Sequence, residues 1–200
     1  MQLRAPAIVL AVRHHGETAV IARLLTEHAG VVAGYVAGGR GRALRPVVMA
    51  GNGVELDLRA RSDSQLPFAR LELITSRGPW LSEPLPAAAI DWACALTASV
   101  LPERQSFPSL YSALSGLLDA VCQAPSARGW AAALVGYEAL MLRELGYGEG
   151  EVRPLGEFPT VLAAMDRLGP ALERNLLADR RGDVMAARAR LRDLLARIAG

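Results

Sequence analysis

The sequence has no lysine: all 22 of its basic residues are arginine. A phosphate-binding loop of the Walker type needs a lysine and is therefore excluded. Cysteine is nearly as scarce, with only Cys94 and Cys122, both in predicted helices and apolar surroundings. They suit buried thiols of an intracellular protein and supply neither a disulfide framework nor a zinc site. There are three histidines, His14, His15 and His28, all in polar turn or loop segments. A metal site built from them with Glu17 is disfavoured, because adjacent histidines seldom chelate one ion. Long apolar runs are missing too. The run from Ala5 to Val12, bracketed by Arg4 and Arg13, is too short to span a membrane and lacks the core and cleavage site of a signal peptide. The expected location is the cytoplasm, with no membrane partner.

Catalytic patterns are absent as well. Gly38, Gly39 and Gly41 do not make G-x-G-x-x-G, no G-x-S-x-G elbow occurs, and neither cysteine has a histidine near it in sequence. Paired carboxylates such as Glu149 and Glu151 lie in a polar, glycine-rich link and read as solvated surface. The sequence offers no activated group, so binding is favoured over catalysis. No cofactor or metal is expected.

What is present is a folded composition with an uneven charge. Apolar residues make up 52% and charged residues 21%, which excludes a disordered chain. The net charge is only +2, yet residues 1–80 carry 10 arginines against 6 acids and residues 81–200 carry 12 against 14. Two surfaces with different partners are implied. The basic excess is densest in "AGGRGRALRP", Ala37 to Pro46, where Arg40, Arg42 and Arg45 sit among three glycines. No helix or strand should persist there. Composition leaves two roles open, a solvated loop or a mobile hand for phosphate.

Strand signals fill the first 76 residues. The segments Ala7–Val12, Thr18–Leu25 and Val31–Val36 are apolar runs, with "HHGE" as the first turn and Asn52-Gly53 as a later one. Val54, Leu56 and Leu58 alternate with Glu55, Asp57 and Arg59, and Leu71 and Leu73 alternate with Arg70 and Glu72. Five short strands with long links predict a small closed barrel, since closure removes sheet edges. From about Pro79 the period becomes helical. Helices are predicted over Ala87–Leu101, Phe107–Val121, Trp130–Met141 and Phe158–Leu168, the third stopped at Gly146. In a last helix, capped by Asp183, Ala187, Leu191, Leu194 and Ile198 form the inner face. The fold class is therefore α+β, a five-stranded barrel over residues 1–78 followed by an α-helical domain over residues 79–200.

A barrel of this size with basic loops suits single-stranded nucleic acid, charge tracking the phosphates and aromatics stacking on bases. Arg13, Arg23, Arg40, Arg42, Arg45, Arg59, Arg61 and Arg70 supply the charge. The stacking half is thin: Tyr35 is the candidate, and the core is the favoured place for Phe68. Phosphate-dominated binding that falls steeply with salt is expected.

The order "IVLAVRHHGETAVIARLLTEHAGVVAGYVAGGRGR…LRP…GNGVELD" resembles the N-terminal domain of the RecO family of bacterial recombination mediators. His15-Gly16-Glu17, Leu24-Leu25-Thr26 and His28-Ala29-Gly30 stand at the family's "YGE", "LLT" and "HG" positions. "YEALMLRELGYG", Tyr137 to Gly148, resembles its helix ending in "LGYG". The resemblance implies an OB-fold barrel on a helical domain, and a non-enzymatic DNA repair role in the cytoplasm, at the nucleoid. It implies binding of single- and double-stranded DNA and annealing of strands. It also implies helping RecA, with RecR, to replace single-strand-binding protein, whose acidic C-terminal tail binds the helical part. Many members carry a four-cysteine zinc site after the "LGYG" helix. Here "EGEVRPLGEF" stands in that place, and zinc is not expected. An alternative is an adaptor that takes acidic peptides without touching DNA, with Arg188, Arg192 and Arg197 rimming an apolar groove. Those arginines equally fit the wet face of the last helix.

Overall fold

Alternation in the first third of the chain produces five strands: β1 (Gln2–His15), β2 (Ala19–Thr26), β3 (Gly30–Val36), β4 (Gly53–Arg59) and β5 (Phe68–Thr75). In the computed structural model, which describes residues 2–60, 62, 65–148, 157–178 and 184–198, they close into a barrel in the order β1-β2-β3-β5-β4. Every pairing is antiparallel except β3 with β5, which meet in parallel at Tyr35 and Phe68. β1 is much longer than its apolar run. Gln2–Ile8 pairs with β4 and Ala7–His15 with β2, and a register shift between Val9 and Ala11 bends the strand from one neighbour to the other. The inward residues, among them Val9, Ala22, Leu24, Val32, Val54, Leu56, Leu58 and Leu71, fill the interior.

Several local expectations are corrected here. The first turn begins at Gly16 (φ 62°), after His15 has completed β1. Asn52 is not a turn tip but a buried residue whose side chain bonds to three backbone groups. Its Nδ2 donates to the Pro46 and Val47 carbonyls, and its Oδ1 accepts from the Arg77 N–H. Leu73 shares the parity of Leu71 but lies near the strand end and is half-exposed. Phe68, expected in the core, is 65% exposed. It shares its strand face with Arg70 and Glu72, because one step along a strand reverses the side chain.

The chain divides into two compact units. One holds residues 1–82 with 101–111, and the other residues 83–100 with 112–200. In the barrel unit, the returning segment lies alongside β3. Arg104 N–H donates to the Val31 carbonyl, and Gly30 (φ 66°) approaches Gln105 so closely that no Cβ would fit. The described helices are α1 (Pro84–Val100), α2 (Pro108–Gln123), α3 (Ala131–Glu144), α4 (Phe158–Leu172) and α5 (Val184–Arg197). Gly146 (φ 86°) ends α3 in a Schellman motif, with Tyr147 N–H on the Leu142 carbonyl and Gly146 N–H on that of Arg143.

The inner face of α5 differs from the expectation. Its buried residues are Arg188, Leu191 and Leu195, while Ile198 is exposed. A buried arginine shifts the stripe that an apolar count locates. Asp183, the expected cap, lies outside the described residues, as do Glu149, Glu151 and most of "EGEVRPLGEF". Among the described residues no helix is long and apolar enough to cross a membrane.

Candidate nucleic-acid interface

The arginine loop is neither helix nor strand, but it is tied down. Gly41 N–H donates to the Gly38 carbonyl, and Leu44 and Arg45 N–H groups donate to that of Gly41. Gly38 takes φ 67°, which suits glycine. Gly39 packs so tightly on Val20 that a Cβ would come within 2.5 Å of it. Asn52 holds the far end of the loop through Pro46 and Val47. Arg40 pins the near end. Its guanidinium donates to the Glu17 carbonyl at 2.8 Å, and its N–H donates to the Thr18 carbonyl at 2.9 Å. The expected mobile hand is thus a buttressed series of turns, and Arg40 faces its own chain.

The barrel arginines fall into two groups. Arg59 forms a two-pronged ion pair with Asp57 at 2.9 and 2.6 Å, Arg4 pairs with Glu55 at 3.1 Å, and Arg70 with Glu72 at 3.7 Å. The hydrogen bond from Arg59, helped by the charges of Arg4 and Arg70, holds the Asp57 carboxyl below its ordinary pKa. That face of β1, β4 and β5 is self-neutralised. Arg23 pairs with Glu103 at 2.9 Å, an acid supplied from the returning segment. By contrast, Arg13, Arg42 and Arg45 are exposed and make no ion pair among the described residues. Arg40 likewise has no acid against it among the described residues, its partners being carbonyls. Three of these four cations, Arg40, Arg42 and Arg45, belong to the loop. Two hollows open there. One, of about 370 Å³, is lined by His14, Arg40 and Arg45 among others; a neighbour of about 450 Å³ is lined by Arg40, Arg42, Arg45, Pro46 and Met49. Arg61, expected to join this set, lies outside the described residues.

Register assembles a transverse row on the outer surface of the barrel. Arg13 faces Ile21, Ile21 faces Tyr35, Tyr35 faces Phe68 and Phe68 faces Arg59. Tyr35 contacts the rings of both His15 and Phe68 edge-to-face, at centroid distances of 5.7 and 5.3 Å. The sequence pattern does not single out His15 and Phe68, although Phe68 shares the parity of Arg70 and Glu72 and belongs outside on that ground.

The arginines expected to receive an acidic partner do not form one set. Arg188 is buried, and its guanidinium is held by Glu138, which corrects its assignment to a surface. Arg192 makes two hydrogen bonds of 2.7 Å to Asp166, which lower that carboxyl's pKa. Arg197 is exposed. The cysteines are buried at Cys94 and half-buried at Cys122, and among the described residues no cluster of three potential metal ligands occurs.

Comparison with known proteins bears on most of the chain. The family model described as Recombination protein O N terminal matches residues 1–77, and that described as Recombination protein O C terminal matches residues 82–148. A protein named DNA repair protein RecO from Caulobacter vibrioides (strain NA1000 / CB15N) is 36% identical over 178 residues, covering 87% of this chain and 72% of its own length. A namesake from Rhodospirillum centenum is 42% identical over 150 residues, covering 74% of this chain and 58% of its own length. Another from Rhizobium leguminosarum bv. trifolii is 40% identical over 148 residues, with 74% and 57% covered. The chain thus spans under two thirds of the length of the latter two relatives.

Proposed function

We propose, since the chain belongs to the recombination protein O (RecO) family of DNA repair proteins, that it holds single-stranded DNA on the arginine-bearing end of its barrel and anneals complementary strands. The supporting observation is the segregation of charge. The ion pairs of Arg4, Arg59 and Arg70 neutralise one face, while Arg40, Arg42 and Arg45, which make no ion pair among the described residues, line two open hollows. Guanidinium groups suit this task because their planar fork meets phosphate oxygens in pairs. Neutralising phosphates lowers the repulsion between two strands without occupying base edges, so pairing can proceed. No covalent step is assigned to the protein.

In this reading double-stranded DNA is also bound through its phosphates. The protein works in the cytoplasm at the nucleoid, and with RecR it helps RecA to displace single-strand-binding protein. The helical unit is the proposed receiver of that protein's acidic tail, with Arg197 the exposed one of the three arginines named for it, since Arg188 and Arg192 are committed to acids of their own chain. The same commitments count against an adaptor built on all three arginines. The test is annealing of two dye-labelled complementary strands coated with single-strand-binding protein, with and without RecR. Acceleration by the wild type, lost on replacing Arg42 and Arg45 by alanine, supports the proposal. No acceleration under any of these conditions overturns it.

A further inference from the structure

Three rings from three strands meet on the outside of the barrel, and none is needed for its core. His15 closes β1, Tyr35 precedes the last residue of β3, and Phe68 opens β5. Phe68 leaves 65% of its surface in water, beside Leu66 at 41%. Together with Arg59, Ala60 and Gln65 these two line a hollow of about 880 Å³. Apolar surface kept in water and gathered at one hollow marks a binding surface better than a folding one.

The position of the rings relative to the charges narrows the ligand. The carbonyls that hold the Arg40 guanidinium belong to Gly16 and Glu17, directly after His15. Tyr35 lies two residues before the loop that carries Arg42 and Arg45. A row of three rings packed edge to face therefore starts beside cations that make no ion pair among the described residues. A single strand offers the matching sequence of groups, a phosphate and a flat apolar base at every step. A duplex offers phosphates but hides its base faces in the stack, and an acidic peptide offers charge without regular flat groups.

We propose that His15, Tyr35 and Phe68 form a stacking strip for the unpaired bases of a single strand whose phosphates lie on Arg13, Arg42 and Arg45. This deepens the DNA-binding reading above and rests on it. Stacking engages base faces and leaves pairing edges outward, so a strand held this way stays open to its complement. Aromatic stacking is also tolerant of sequence, because every base has a face.

The test uses the full chain and two single strands of equal length and charge, one of thymidines and one in which every base is missing. The wild type binds the thymidine strand more tightly. Replacing Phe68 by alanine removes about tenfold of that affinity, the scale of one lost stack, and leaves binding to the baseless strand unchanged. Phe68→Leu keeps apolar bulk but loses the ring, and it behaves like the alanine variant. Because Phe68 lies largely in water, circular dichroism shows both variants folded. Equal affinity of the wild type for the two strands overturns the stacking strip while the phosphate reading stands, and leaves the rings to a protein partner. A Phe68→Ala variant that keeps the full preference overturns it too. Failure of the wild type to bind either strand removes the DNA reading and the strip with it.

Discussion

Arg188 and Glu138, 50 residues apart, form a two-pronged ion pair inside the helical unit, with both N–O distances at 2.8 Å. Trp92 donates its indole N–H to the same carboxylate at 2.8 Å, and Arg188 also donates to the Met165 carbonyl. Burial pushes the Glu138 carboxyl above its ordinary pKa, while the hydrogen bonds from Arg188 and Trp92 pull it down. Gly169 makes room for the pair, since a Cβ there would lie 2.8 Å from the guanidinium. Four helices, α1, α3, α4 and α5, are joined at this point.

Removing one member strands the other. Arg188→Met leaves a buried carboxylate without its cation and is expected to cost about 3–5 kcal/mol in urea unfolding. Adding Glu138→Leu to that variant should recover much of the loss, because an apolar pair of similar volume has no charge to desolvate. A single variant within about 0.5 kcal/mol of wild type, the usual range for a surface change, would contradict this view of α5.

A second buried group gives a pH dependence. Tyr137 is buried, with its hydroxyl 2.6 Å from that of Thr97, and burial pushes its pKa well above the ordinary 10.0. The folded state then keeps a proton that the unfolded state releases, so the stability linked to Tyr137 is complete below pH 10 and lost as pH rises beyond it. Tyr137→Phe is expected to lose about 1 kcal/mol at neutral pH with its hydrogen bond, and to show a shallower decline above pH 10. Parallel stability curves for the two proteins in alkali would refute the assignment.

These two centres show how far sequence patterns reach. Strand alternation is legible because neighbours two apart share a face, and Val54, Leu56 and Leu58 are buried as the pattern implies. The reach of β1 is not legible, because Arg4 and Pro6 interrupt its apolar run while still pairing with β4. Ion pairs are hidden for a related reason. Glu103 reaches Arg23 from 80 residues away, so counting arginines overstates the charge on offer. Arg188 reads as a wet residue because its countercharge lies on another helix. Phe68 reads as core because size outweighed parity.

Two glycines with similar backbones should respond differently to alanine. Gly16 and Gly30 have φ of 62° and 66°, but a Cβ on Gly16 meets open space, whereas on Gly30 it would lie 1.9 Å from the Gln105 carbonyl oxygen. Gly16→Ala should cost about 1–2 kcal/mol, the price of the left-handed conformation. Gly30→Ala should cost clearly more, because backbone must move. Equal thermal midpoints for the two variants would show that the segment at Gln105 yields freely.

Arg40 is expected to act by positioning rather than by contact. Its replacement by alanine cuts the tie to Glu17 and Gly16, so hydrogen exchange at the Gly41, Leu44 and Arg45 amides should quicken. Arg42→Ala should leave those amides unchanged. Identical exchange in both variants would make Arg40 one more surface cation.

The most direct test of phosphate binding by the loop arginines is a salt titration of single-stranded DNA affinity, wild type against the variant with both Arg42 and Arg45 replaced by alanine. Each phosphate contact contributes about 0.7 to the slope of log affinity against log salt for a single strand. The variant should therefore bind more weakly, with a slope shallower by roughly 1.4. An unchanged slope, or a wild type that ignores the strand even in dilute buffer, would contradict it.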